Sequence, residues 1–117
     1  MIFAVLGIYD YFQYTNDTDA KLLFDKGVNS IKREISKYNY NGYSYYDLLG
    51  NPANKYHQIH IDLTKQLYDL TGESIFTKYH ELWKYHNNLS LLNYFTIYHR
   101  TTIKNMFNIC NFINFYC

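Results

Sequence analysis

The chain has 117 residues, which is enough for one small domain. Its hydrophobic content of 48% and charged content of 18% are typical of a globular protein and exclude a disordered one. A formal net charge of +1 gives no sign of a surface for nucleic acid or for anionic membranes, so neither is expected as a partner.

The N-terminal segment, Met1 to Tyr14, is apolar on nearly all sides, which predicts a helix buried between others. Its apolar run from Ile2 to Ile8 lacks the basic region and the cleavage site of a signal peptide. The run is also too short to span a bilayer. We therefore expect neither a signal peptide nor a transmembrane helix here, and the sequence leaves the compartment open.

A second helix is predicted after the cap-type residues Asn16 to Asp19. Its apolar stripe has steps of four, three and four positions, and is formed by Phe24, Val28, Ile31 and Ile35. This pattern predicts a helix that ends near Tyr38.

Residues 39–56 lack helical periodicity and contain Gly42, Gly50 and Pro52, which favours an extended or hairpin-like loop. The helical period returns at about His57, where a third helix is predicted with one face formed by His60, Leu63, Leu67 and Leu70. Thr71 and Gly72 end it. A fourth helix opens at Glu73 and Ser74, with a stripe of Ile75, Tyr79 and Leu82 that is widened by Phe76 and Trp83.

The composition changes after His86. Residues 87–117 contain Arg100 and Lys104 but no Asp or Glu, whereas the first 86 residues hold the other nine basic residues and all ten acidic ones. We therefore divide the chain into a helical region, 1–86, and a tail, 87–117. The tail is interpreted either as one or two amphipathic helices or as an extension without a native structure.

The strongest group of polar side chains lies in the loop and at the start of the third helix: Tyr45, Tyr46, Asp47, Tyr56, His57 and His60. His57 and His60 are three positions apart and would share a helix face. The pair lacks a third ligand at a convincing spacing, and Cys110 and Cys117 give no metal framework, so no metal site is predicted.

Two interpretations of these side chains stay open. His57 could be a hydrogen-bonded core residue, whereas tyrosine and histidine can also carry protons in catalysis. A tyrosine, whose reference pKa is about 10, would need a neighbouring cation or hydrogen-bond donor to act as a base near neutrality. The residues alone predict a polar site on a helical scaffold.

Four stretches, in this order, carry a family resemblance: LGIYDY at 6–11, LFDKGVNSIK at 23–32, YDL at 46–48 and YHQIHI at 56–61. Through them, residues 3–86 resemble the C-terminal region of the D-glucuronyl C5-epimerase family. The resemblance implies an all-α fold of the α/α-toroid type, in which helical hairpins surround a glycan groove. The extended loop would then lie between the second and third helices.

The resemblance also implies an activity, the inversion of C5 of glucuronic acid to iduronic acid in a heparosan- or heparan-type polysaccharide. The catalytic tyrosines of the family motifs match Tyr46 and Tyr56, and no cofactor is implied. We expect substrate binding or orientation from His57, His60, Lys55 and Tyr45. Asp47 is expected to organise the loop, because a free carboxylate would repel the substrate carboxylate.

The sequence departs from the family in two ways. Animal members have an arginine directly after YDL, a natural partner for the substrate carboxylate, whereas this chain has Leu49, and Lys55 is the nearest replacement. The family's upstream catalytic region would precede Met1, which predicts a fragment or partial subunit that is weakly active or inactive alone. A partner chain or a homo-oligomer could complete the site. The alternative function is a non-catalytic glycan-binding or helical interaction module.

Overall fold

The computed structural model describes the backbone of residues 1–114 and the side chains of residues 1–97 and 101. It divides into two compact units, one from Met1 to His86 and a second that begins at Asn87. Most of the described residues are α-helical, which confirms the all-α class; the toroid arrangement stays a prediction. No helix among the described residues is long and apolar enough to cross a membrane.

Helix α1 (Ile2–Thr15) was predicted to be buried, and this prediction was wrong. Val5 is its only residue that is buried, whereas Phe3 is 66% exposed and Tyr14 is 91% exposed. The helix packs mainly against α2 (Thr18–Glu34), and no described element covers its opposite side. An apolar composition shows that a helix can be buried on all sides, but burial depends on how many neighbours it has.

Helix α2 confirms the predicted stripe, since Phe24, Val28, Ile31 and Ile35 are all buried. The carboxylate of Asp17 caps the helix by accepting a bond of 2.9 Å from the backbone N–H of Asp19. After the α-helix, a 3₁₀ turn (Ile35–Tyr38) continues to the predicted end at Tyr38.

The loop after α2 is a hairpin, as predicted. Strands β1 (Asn39–Tyr40) and β2 (Tyr43–Ser44) pair antiparallel through a two-residue Asn41–Gly42 turn. Both turn residues have positive φ, 47° and 88°, which is the requirement of a type I′ turn. A short 3₁₀ turn (Asn54–Tyr56) then leads into α3 (His57–Thr71), which ends at the left-handed Gly72.

The core of the first unit lies between α2, α3 and the first turns of α4 (Ser74–Asn114). On α3 the predicted face is correct at Leu63 and Leu67 but not at Leu70, which is 39% exposed. On α4 the predicted Phe76, Tyr79 and Trp83 are buried, His80 is buried although it was not predicted, and Ile75 and Leu82 are only half-buried.

Within the second unit the described backbone is helical to Asn114. Its described apolar side chains are exposed, among them Leu92, Tyr94 and Ile97. The side chains of Arg100, Lys104 and Cys110, and all of Cys117, lie outside the described residues.

Candidate functional site

The two predicted catalytic tyrosines lie side by side. The ring centroids of Tyr46 and Tyr56 are 5.3 Å apart and the ring planes are inclined by 47°. Both side chains reach solvent, with exposed fractions of 57% and 40%. Two rings in direct contact leave no room for another ring between them. A ligand therefore either lies against one side of this pair or separates the rings as it enters.

The loop that carries Tyr46 is closed by backbone bonds. The backbone N–H of Tyr46 donates to the carbonyl of Asn51 at 2.7 Å, and the N–H of Ala53 donates to the carbonyl of Ser44 at 3.0 Å. An isolated β-bridge joins Tyr45 to Pro52. The loop thereby folds back on itself and brings Tyr46 beside Tyr56.

Asp47 organises this loop, as expected. One of its oxygens accepts the backbone N–H of Leu49 at 2.9 Å and that of Asn51 at 3.2 Å, and the other accepts the side-chain amide of Asn51 at 2.7 Å. The side-chain bond from Asn51 is the main reason that the pKa of the Asp47 carboxyl lies below its usual value. Its oxygens are thus committed to the loop.

His57 and His60 meet at the hydroxyl of Ser44 on the hairpin. Ser44 Oγ lies 2.9 Å from Nδ1 of His57 and 2.8 Å from Nδ1 of His60. Nε2 of His57 is 3.3 Å from the carbonyl of Trp83 on α4. These hydrogen bonds connect the hairpin to α3, and α3 to α4.

Burial sets the charge of both imidazoles. His57 is 5% exposed, and its burial lowers its pKa despite the bond to the Trp83 carbonyl, with a further small lowering by His86. Burial also lowers the pKa of His60, and positive charge on His57 and on the amino group of Met1 acts in the same direction. Both rings are therefore neutral at neutral pH.

Two concave regions meet at Tyr46. The first, which we name the loop groove, has about 470 Å³ and is lined by Tyr46, Asp47, Asn51, Pro52, Ala53, Asn54, Lys55 and Tyr56. The second, which we name the inner pocket, has about 130 Å³ and includes Tyr46, His60 and Trp83 in its wall. Ligand sites usually have about 300–1,000 Å³, so the inner pocket accommodates a single small group at most.

Of the other residues predicted to bind the substrate, Lys55 lines the loop groove and Tyr45 does not. Lys55 lies in the loop groove with Nζ 5.6 Å from the ring centroid of Tyr56. Tyr45 lines neither region; it is half-buried and its ring packs against Tyr40 at 5.5 Å. Leu49 is 88% exposed and lines neither region.

Ser44 was missed by the sequence analysis. It is buried, and it contacts two histidines that lie 13 and 16 positions away. No sequence pattern singles it out, because hydrophobic alternation on this two-residue strand would bury Tyr43 and expose Ser44. Among the described residues no group of three or more His, Cys, Asp or Glu side chains could hold a metal ion.

Comparison with known proteins agrees with the resemblance. Residues 1–85 match the family described as D-glucuronyl C5-epimerase C-terminus. An uncharacterized protein of Methanocaldococcus jannaschii is 38% identical over 84 residues, which are 71% of this chain and 27% of that protein. The chain thus spans about a quarter of the length of the relative it matches. No solved structure matches it. The chain belongs to the D-glucuronyl C5-epimerase C-terminus family.

Proposed function

We propose that this chain carries the tyrosine pair of a C5-epimerase that inverts glucuronic acid to iduronic acid in a heparosan- or heparan-type polysaccharide. The observation that carries the proposal is the contact of Tyr46 and Tyr56, whose rings lie 5.3 Å apart at one groove. Both residues lie in the region that matches the epimerase family.

The chemistry requires two proton carriers. The hydrogen at C5 is alpha to a carboxylate and is weakly acidic, so its removal needs a base, stabilisation of the resulting enolate, and a donor on the opposite face. A tyrosine is a base as phenolate and a donor as phenol. Tyr46 and Tyr56 would fill both roles, with the sugar inserted between their hydroxyls as the exposed rings part.

Lys55 is the group that we assign to the substrate carboxylate. It lies in the loop groove beside Tyr56, and an ammonium group pairs with a carboxylate by charge-assisted hydrogen bonds. Leu49, which stands where animal members have arginine, is exposed and apolar and offers no such contact. Asp47 also lines this groove as a carboxylate, and its oxygens accept hydrogen bonds from Leu49 and Asn51 of the loop.

The chain would hold one part of a longer glycan groove. The loop groove of about 470 Å³ is large enough for one or two sugars, whereas a polysaccharide site extends further. We infer that a partner chain or a second copy completes such a groove.

A second function is favoured by one observation. Because the two tyrosine rings touch, the pair forms a continuous aromatic surface of the kind on which sugars stack. A module that binds glycan on this surface without turnover would need the rings but not their hydroxyls.

Incubation with heparosan oligosaccharides in D₂O distinguishes the two functions, with deuterium at C5 measured by NMR and mass spectrometry. We expect slow incorporation above a protein-free blank, which is lost in Tyr46→Phe and Tyr56→Phe. Tyr14→Phe is the matched control, since Tyr14 is 91% exposed at the end of α1 and lines neither region. Oligosaccharide binding without exchange, unchanged in both site variants, would support the binding module instead.

A further inference from the structure

The inner pocket runs from an exposed mouth to a buried floor. The mouth includes Tyr46 and Phe3, which are 57% and 66% exposed. The floor is formed by side chains that are each at most 5% exposed, namely Ile31, Ile35, Leu63 and Trp83. Because Tyr46 also lines the loop groove, the mouth opens at the edge of that groove. A substituent of a molecule bound in the loop groove is therefore in position to enter the inner pocket past Tyr46.

The volume of the inner pocket limits its occupant to one substituent. A cavity of about 150 Å³ with an apolar lining holds a benzene molecule, and the inner pocket has about 130 Å³. A whole sugar with its hydroxyl groups is larger than benzene, so it does not enter. What remains is a small group that projects from a sugar ring, such as a hydroxyl, a carboxylate, an amine, a sulfate or an acetamido group.

The polarity of the lining selects among these groups. Among the described residues that line the pocket, none has a charged side chain at neutral pH, since the imidazole of His60 is neutral. Met1, whose amino group is charged, belongs to the exposed mouth, where water screens the charge. A carboxylate, a sulfate or an ammonium group would lose its hydration on the apolar floor without gaining a partner, which is costly. A bare hydroxyl is neutral but brings no apolar surface to the floor.

An acetamido group matches both the apolar and the polar part of this lining. Its methyl group has an apolar surface for Ile35, Leu63 and the indole of Trp83, and burial of such a surface is favourable. Its amide has a donor and an acceptor, for which the ring of His60 is a partner. Nδ1 of His60 lies 2.8 Å from Ser44 Oγ, so a bond from this ring to a ligand comes from Nε2. In a neutral imidazole Nε2 donates in one tautomer and accepts in the other, and the amide satisfies either.

We propose that the inner pocket binds the N-acetyl group of a hexosamine that neighbours the glucuronate in the polysaccharide. The inference rests on the proposed function for the glucuronate, but binding of an acetamido group in the pocket does not depend on turnover. The glucuronate lies in the loop groove with its carboxylate at Lys55, and Tyr46 stands between the regions that bind the two sugars. The substrate is accordingly an N-acetylated chain of the heparosan type, and N-sulfation excludes the hexosamine nitrogen from the pocket.

The first test is the contact of the acetyl methyl group with the floor of the pocket. Isotope-filtered NOE spectra are recorded on the ¹³C-labelled protein with an unlabelled heparosan oligosaccharide. We expect NOEs from the acetyl methyl protons to the methyl groups of Leu63 and to the indole protons of Trp83, the one tryptophan of the chain. The absence of both NOEs would overturn the proposal. This measurement is independent of any activity.

The second test varies only the substituent on the hexosamine nitrogen. Heparosan oligosaccharides of one length are compared in the N-acetyl, free-amine and N-sulfated forms, with the fluorescence of Trp83 as the measure of binding. We expect the N-acetyl form to bind about 10-fold tighter or more, which is the usual discrimination of an apolar pocket for one methyl or methylene group. Equal affinity for the three forms, or tighter binding of the N-sulfated form, would refute the assignment.

Two variants change the volume of the pocket in opposite directions, and urea unfolding checks that each is folded. Leu63→Phe fills the pocket and should weaken binding of the N-acetyl form by about 10-fold or more. Leu70→Phe is the matched control, because Leu70 is 39% exposed on the same helix and does not line the pocket. Ile35→Val, a milder change, removes one methyl group from the floor and should shift the preference from N-acetyl towards N-propionyl oligosaccharides. Unchanged affinity in folded Leu63→Phe, or an unchanged acyl preference in Ile35→Val, would contradict the proposal.

Exchange at C5 separates this proposal from the proposed function. We expect deuterium to enter the N-acetyl form faster than the free-amine and N-sulfated forms. If the N-acetyl form binds as expected but no deuterium enters C5, the proposed function fails and the assignment of the pocket stands. If deuterium enters all three forms at equal rates, the tyrosine pair stands and the assignment of the pocket is overturned.

Discussion

Replacement of Gly42 by alanine is expected to be strongly destabilising, because two separate costs coincide at this position. Gly42 has φ of +88°, where a side chain costs about 1–2 kcal/mol. A Cβ there would also lie 2.0 Å from Cδ2 of His86, and relief of such overpacking typically costs about 1–3 kcal/mol. The sum is about 2–5 kcal/mol, a large share of the stability of a small domain.

Three other glycines separate these costs. Gly50 has φ of +85° and no atom within 4 Å of an added Cβ, so Gly50→Ala should lose only the conformational part, about 1–2 kcal/mol. Gly27 lies in α2, and a Cβ added there would lie 2.6 Å from Cγ2 of Val5. Gly27→Ala should therefore show the steric cost, offset in part by the higher helix propensity of alanine, which is worth about 0.5–1 kcal/mol. Gly7 lies in α1 with open space around an added Cβ, so Gly7→Ala should stabilise the protein by that same helix-propensity gain.

The assay is urea unfolding followed by the fluorescence of Trp83, the one tryptophan of the chain, which is 2% exposed in the core. The expected order of stability is Gly7→Ala, unchanged protein, then Gly27→Ala and Gly50→Ala, and last Gly42→Ala. Equal losses in Gly42→Ala and Gly50→Ala would refute the reasoning, because they would mean that the hairpin turn does not approach His86.

Two further predictions concern acid. The pKa values of His57 and His60 are below 6.5 in the folded protein, so the unfolded chain binds more protons than the folded one as the pH falls through 6.5. The free energy of unfolding, measured with urea, should therefore decrease from about pH 7.5 to pH 5.5. A free energy that stays constant or rises over this range would contradict the prediction. The pKa of Asp47 is below 3.8 when folded, so its stabilisation of the loop is complete above about pH 4 and is lost as the pH falls through the folded pKa. Amide exchange at Leu49 and Asn51, corrected for its intrinsic rate, should show this loss, and Asp47→Asn should show it already at pH 6.

The parts of the fold that could be predicted are those set by local patterns. The stripe of α2 follows from regular spacing, and the hairpin follows from Asn41–Gly42, since this pair tolerates the two positive φ angles of the turn. The start of α3 at His57 was predicted correctly because periodicity returns there.

The parts that were missed depend on distant neighbours. The exposure of α1 follows from having a partner on one side only, which its uniformly apolar sequence does not encode. On α4 the buried His80 was missed and Ile75 and Leu82 are less buried than expected, because a wide aromatic stripe permits several rotations of the helix. Packing against Asn39 selects one of them, since the indole N–H of Trp83 donates to its side chain at 2.9 Å.

In the candidate site, too, the sequence predicted which residues take part but not how they are arranged. The motifs located Tyr46, Tyr56, His57 and His60 on the sequence, but not their distances from one another. The register of the hairpin brings Ser44 to both histidines. The closed loop, held by Asp47, sets the contact of the tyrosines.

The most direct test of the central claim uses oligosaccharides of both configurations in D₂O. Glucuronate-terminated and iduronate-containing substrates expose opposite faces of C5 to the two tyrosines, and deuterium at C5 is quantified for each. The account predicts that Tyr46→Phe and Tyr56→Phe each abolish incorporation from both substrates, while Tyr14→Phe leaves it unchanged. Incorporation that persists in both site variants would contradict the assignment of this pair to proton transfer.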